Sequence, residues 1–175
     1  MQIELRKGMN LYPGTYTAVI APERVMVSAI NSNAELQRFL FLYISGNYSR
    51  ILSGIHRTSK NFDVQRAFTA HQLFAMLKET GHTVILVEHD PTLYEGAEKM
   101  LVPVAGALKD AGRESLVILY APVIDRGFAI LMQRADRVIE IASAGELSSR
   151  EPVRSLHRQR PGGLPKSGQQ TLEVT

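Results

Sequence analysis

The chain has 175 residues, enough for one domain with a sizeable core, and 45% of them are apolar, as in ordinary soluble domains. It contains no cysteine, which excludes disulfides, a thiolate nucleophile and Cys-ligated zinc. The net charge of +3 sits at the end: from Ser148 onward Arg150, Arg154, Arg158, Arg160 and Lys166 outnumber Glu151 and Glu173, while residues 1–147 balance. The body therefore lacks the basic signature of a dedicated nucleic-acid-binding domain.

No apolar run approaches the roughly 20 residues that span a bilayer, so no membrane insertion is expected. The first ten residues carry Glu4, Arg6 and Lys7 and no apolar core of the signal-peptide kind. A cytoplasmic protein is the expectation.

In chain order, Thr15–Ile20 and Val25–Ile30 are short, β-branched and bounded by turn residues, which predicts two strands. Ser32-Asn33-Ala34-Glu35 has the form of a capping box, with Leu36, Phe39, Leu40, Tyr43 and Ile44 following at helical spacing and Gly46-Asn47 as a stop. Ile51–Ile55 suits a strand or a single helical turn, and Phe62–Phe68 is extended. Thr69-Ala70-His71-Gln72 is a second capping box. Its helix carries Ala70, Leu73, Phe74 and Leu77 on one face and ends by Gly81. Thr83–Val87 is a continuous apolar run of the kind buried on both faces of a parallel sheet.

Thr92–Glu95 repeats the capping pattern and predicts a long helix with Leu93, Ala97, Leu101, Val104 and Leu108 on its stripe, kinked or divided at Pro103. Ser115–Tyr120 is another buried strand, Asp125 caps a short helix through Arg134, and Arg137–Ile141 is a last strand. Strands alternating with helices predict an α/β fold: three layers, a mainly parallel sheet and helices on both faces. Residues 1–147 form this domain. Residues 148–175, rich in Pro, Gly, Ser and Arg, are expected to be a disordered basic tail with room for a short helix around Val153–Gln159.

Several of these segments fall in the order of the RecA/RadA recombinase and KaiC-like ATPase superfamily. Val64-Gln65-Arg66-Ala67-Phe68-Thr69-Ala70-His71-Gln72 is similar to an Arg-Ala-Phe/Tyr…His-Gln segment of recombinases. Val84–Val87 with Glu88 resembles their Walker B strand and its acidic end. Gly14–Ile20 resembles the strand that leads into the phosphate loop. The resemblance spans Pro13 to Ile141 and implies a RecA-like core. It also implies association through edges and helices, either with itself or with a related ATPase.

The departures are as informative. No G-x-x-x-x-G-K-[ST] is present. After Ile20 the chain reads Ala21-Pro22-Glu23-Arg24 and enters the next predicted strand, as though the phosphate loop and its helix were excised. Asn31-Ser32-Asn33 stands where the family often has a catalytic glutamate, and Tyr120-Ala121-Pro122 where it has γ-phosphate sensors. ATP hydrolysis is not expected, and Mg²⁺ or nucleotide binding is disfavoured.

Glu88, His89 and Asp90 are the leading site candidates. Carboxylates at a strand's carboxyl end can hold a hard cation through Glu88 and Asp90, with His89 as ligand or base. The competing structural account makes Asp90 a cap before Pro91 and His89 an exposed turn residue. Glu88, ending a buried strand, needs a partner, for which Arg66 or Arg113 is available. His71 joined to this trio matches no zinc spacing.

Tyr120, Asp125 and Arg24 complete the candidates. Asp125 lies on the same sheet edge as pocket residue or cap, and Arg24 is an anion contact or a surface arginine. No Ser occupies a Gly-x-Ser-x-Gly elbow. Arg154, Arg158 and Arg160 offer salt-dependent contact to nucleic acid but lack aromatics for stacking. The expected function is a non-hydrolytic binding or regulatory module acting through protein association. The alternatives are a metal-dependent enzyme working at Glu88-His89-Asp90 on a phosphorylated or other small substrate, and a DNA-associated accessory protein.

Overall fold

A computed structural model describes residues 3–6, 9–33 and 35–141. The expected basic tail and the domain boundary before it lie outside the described residues. In chain order the elements are strands β1 (Ile3–Arg6), β2 (Met9–Leu11) and β3 (Thr15–Ile20), helix α1 (Glu23–Ser32), and strands β4 (Phe41–Ser45) and β5 (Phe62–Arg66). Helix α2 (Ala70–Glu79), strand β6 (Val84–Glu88), helix α3 (Leu101–Ala111), strand β7 (Leu116–Ala121), helix α4 (Arg126–Leu131) and strand β8 (Arg137–Glu140) follow. β1 and β2 form a separate antiparallel hairpin. The other six strands make one parallel sheet in the order β5-β4-β6-β7-β3-β8.

Strict alternation along the central strands divides the core in two, because successive side chains of a strand point to opposite faces. Leu42 and Ile44, Ile85 and Val87, and Val117 and Leu119 pack under α2, α3 and α4. Phe41 and Tyr43, Val84 and Leu86, and Ile118 and Tyr120 pack on the other face with α1 and with Leu36, Ile51 and Ile55. The expected three-layer α/β arrangement is present. Among the described residues no helix is long and apolar enough to cross a membrane.

Two elements differ from the sequence reading. Residues 25–30 belong to helix α1, not to a strand. Met26, Ala29 and Ile30 are its buried positions, an i, i+3, i+4 stripe that the β-branched Val25 and Val27 obscure. Its place in the chain requires a crossover, since β3 and β4 run parallel and cannot be joined by a tight turn. Conversely, the predicted helix over Leu36–Ile44 is a turn (Leu36–Arg38) followed by β4. Phe41–Ile44 is apolar at every position because β4 is covered on both faces between β5 and β6. Ser32 thus ends α1 rather than capping a new helix, and its hydroxyl donates to the Ala29 carbonyl at 3.3 Å.

The third capping box also fails. Asp90, not Thr92, caps the turn Pro91–Tyr94, and a second turn, Glu98–Met100, precedes α3. Pro103 neither kinks nor divides a helix. It stands in the first turn of α3, where its missing amide has no intrahelical acceptor to lose. Residues 52–54 form a single helical turn. β5, α2, β6, β7, α4 and β8 lie where the pattern places them.

Thr69 caps α2 through its side chain, accepting from the Gln72 amide at 3.2 Å, while Gln72 accepts from the Phe68 amide at 2.7 Å. Replacing Thr69 by Ala is expected to cost about 1 kcal/mol in urea denaturation, with the native fold retained.

Candidate functional site

Ligand sites in open α/β sheets form at the strands' carboxyl ends, where neighbouring connections leave to opposite faces. The connection after β4 carries Ile51 and Ile55 onto the α1 face, whereas β6 leads into α3 on the other face. A crevice therefore opens between the ends of β4 and β6, and Glu88, His89 and Asp90 stand at it.

Glu88 and His89 both border a cavity of about 260 Å³ at these strand ends, but their side chains take opposite faces of the sheet. Glu88 has the parity of Leu86 and turns to the α1 face, while His89 turns to the face of α3 and α4. Glu88 is 3% exposed and both of its oxygens are engaged. Oε1 accepts from the Arg50 backbone amide at 2.7 Å. Oε2 accepts from the Ser49 hydroxyl at 2.8 Å and from the Tyr43 hydroxyl in a short contact. Burial, and then the charge on Glu88, push the Tyr43 hydroxyl's pKa well up, so Tyr43 stays a donor. Neither Arg66 nor Arg113 serves as its partner: Arg66 is exposed on β5 and Arg113 lies 3.7 Å from Asp110.

Asp90 is as fully used. It caps its turn by accepting from the Thr92 amide at 2.9 Å and hydroxyl at 2.7 Å, and it takes the Tyr48 amide at 3.2 Å. Asn47 donates to the Thr92 hydroxyl at 3.0 Å. The two carboxylates thus bind the loop 46–50 down over the end of β6. Gly46 is required for this approach, because a Cβ there would stand 2.4 Å from the Asp90 Cβ.

His89 is not an exposed turn residue. Its side chain is 3% exposed, lies 6.0 Å from Tyr94 and edge-on to Phe128, and its Nε2 is 2.8 Å from Asp125 Oδ2. Burial lowers its pKa against the pull of Asp125 and Asp90. Burial works against the Asp125 carboxylate too, but the Phe128 amide, His89 and the Gly127 amide outweigh it and hold its pKa below the usual range. The pair is therefore a neutral imidazole whose Nε2–H donates to a carboxylate. That leaves His89 Nδ1 as a buried acceptor without a partner among the described residues. Asp125 also caps α4, as the sequence predicts, accepting from the Phe128 amide at 2.7 Å.

The remaining candidates do not converge on this site. Tyr120 is buried on the α1 face and donates its hydroxyl to the Ala21 carbonyl at 3.1 Å. Arg24 is exposed in the first turn of α1. The connection from β3 to α1 is Ala21 and Pro22 alone, so a helix follows β3 after a two-residue loop, where a strand was expected. The Ala21 amide is taken by the Ala121 carbonyl, Pro22 has no amide, and Glu23 adds an acid at the helix start. That turn cannot cradle phosphates in the manner of a glycine-rich loop. His71 is exposed on α2, and among the described residues no three His, Asp or Glu side chains gather as a metal ligand set. Arg154, Arg158 and Arg160 lie outside the described residues.

What the sequence reading missed is the donor set. Tyr43, Ser49 and the Arg50 amide lie 38 to 45 residues from Glu88. Only the Gly46-Asn47 pair, read as a helix stop, signalled the tight loop.

No protein-family model matches the chain. An uncharacterised protein of Archaeoglobus fulgidus is 33% identical to it over 165 residues, which cover 92% of this chain and 83% of that relative. The chain belongs to that protein's family. That relative's name states no activity, so the functional reading rests on the geometry.

Two measurements follow. Glu88→Gln turns an acceptor toward three donors into a group that presents a donor of its own, and is expected to cost about 1.5–3 kcal/mol in urea denaturation. For His89, the folded pKa lies below the unfolded value of 6.5, so its contribution is complete above that value. It is lost as the pH falls below it, where only the unfolded chain takes up the proton. Stability is expected to decline from pH 7 to 5, and His89→Gln to flatten that decline.

Proposed function

We propose that this chain is a non-hydrolytic binding module of RecA-like type, working through association of its sheet's carboxyl edge with a protein. The observation that carries this reading is the state of Glu88. Both oxygens of Glu88 already accept from donors of the protein itself, three in all, which supports a structural use of its charge over the holding of Mg²⁺ and phosphate. The turn at Ala21-Pro22 supports the same conclusion, since it supplies no ring of free amides.

The association half rests on what the edge exposes. Tyr48 is 74% and Val123 69% exposed, and Ile124 is also open, on the two loops that flank a cavity of about 260 Å³. Tyr48 and Val123 line that cavity beside Arg50 and Asp125. Exposed aromatic and branched side chains around a polar centre are the composition of a protein contact surface. A second copy of the chain or a related ATPase is the partner that the RecA-like reading implies.

Titration calorimetry with ATP and Mg²⁺ tests the first half: no binding heat is expected, and micromolar affinity or turnover overturns the reading. Sedimentation velocity tests the second, with self-association expected to rise with concentration and to weaken in Val123→Asp.

A further inference from the structure

We propose that the cleft between the Pro91–Leu101 segment and the start of α4 binds a small zwitterion with an apolar side chain, such as a free hydrophobic α-amino acid. The cleft has a volume of about 670 Å³ and shares only Pro91 and Asp125 with the cavity beside the Glu88 loop. That size falls in the range of small-molecule sites, roughly 300–1,000 Å³. Its apolar surface comes from Tyr94, Leu101 and Ile130. Gly127 keeps the wall open: a Cβ there would stand 3.3 Å from Asp125 Oδ1 and 3.5 Å from Leu101 Cδ2.

The rim fixes the class of ligand. Lys99 and Arg126 lie on it with Glu95 and Glu98, all four exposed, and none of them enters an ion pair among the described residues. Asp125 adds a carboxylate whose oxygens already receive His89 and the Phe128 amide. A simple anion entering this rim meets the carboxylates, and a simple cation meets Lys99 and Arg126. An uncharged apolar molecule fills the floor but leaves every rim charge unused. A molecule with one charge of each sign beside an apolar group answers all three features. Its carboxylate suits the planar, two-pronged donor geometry of Arg126, its ammonium suits Glu95 or Glu98, and its side chain covers Tyr94 and Leu101.

The test is an amide-resolved NMR titration of the full chain with L-phenylalanine and with L-leucine. Phenethylamine, 3-phenylpropionate and 2-phenylethanol serve as comparators that lack one or both charges. Saturable shifts are expected at the amides of Tyr94, Glu95 and Gly127, with L-phenylalanine binding about tenfold more tightly than any comparator. Arg126→Gln should weaken L-phenylalanine and 3-phenylpropionate about tenfold while leaving phenethylamine unchanged. Ile130→Trp, which fills the floor, should remove binding, and thermal unfolding of both variants checks that they fold. The proposal is overturned if neither amino acid saturates, if a comparator binds as tightly as L-phenylalanine, or if the shifts map elsewhere. Because the cleft does not involve the Glu88 loop, that outcome leaves the carboxyl-edge reading standing.

Discussion

The buried carboxylate of Glu88 is the constraint from which the rest of the sheet's carboxyl edge follows. A charge at the end of a central strand is costly unless donors surround it, and among the described residues Glu88 enters no ion pair. The chain instead folds the segment after β4 back over β6 so that a phenol, a serine hydroxyl and a backbone amide converge on the acid. Once that loop is drawn down, Gly46 must lie against the Asp90 side chain, and Asp90 must accept from Tyr48 as well as from its own turn. One buried charge thereby dictates the path of the loop and the residue at its tightest approach.

This arrangement separates two roles that the run Glu88-His89-Asp90 invites one to combine. Strand parity sends Glu88 to the α1 face and His89 to the opposite face, where it meets Asp125. Both residues border the cavity of about 260 Å³ at the strand ends, but Glu88 is committed to the donors of the loop after β4 and His89 to Asp125. In the crevice half of the edge the carboxylates of Glu88 and Asp90 are taken up by internal hydrogen bonds. The half beyond Asp125 keeps its polar groups on a rim and its floor apolar.

How much of this was legible in the sequence depended on the range of the interaction. Caps are local, so Thr69 and Asp125 could be recognised from a few residues around them, and Asp90 as a cap emerged as the competing account of its own position. The buried runs read at 83–87 and 115–120 were legible because a parallel strand covered on both faces is apolar at nearly every position. Helix α1 and strand β4 were exchanged for a related reason. Val25 and Val27 lend a helix the composition of a strand, and Leu36, Leu40 and Tyr43 happen to fit a helical period across a turn and a strand. The donors to Glu88 were invisible because nothing in the neighbourhood of residue 88 encodes which loop will arrive there. The burial of His89 likewise depends on Tyr94 and Phe128, which only tertiary packing places around it.

The correction at α1 also alters what a missing phosphate loop means. Parallel strands β3 and β4, separated in the sheet by β7 and β6, need a long crossover whatever the protein does. A helix in that connection is therefore under structural demand, and its hydrophobic stripe of Met26, Ala29 and Ile30 completes one of the two cores. The loop before it bears no such demand. A two-residue loop, Ala21-Pro22, is enough to join the strand to the helix, and it offers no glycine-rich run of backbone amides to hold an anion. On the RecA-like reading, loss of phosphate grip needs no wider rearrangement, because fold and chemistry reside in separable parts of the same connection.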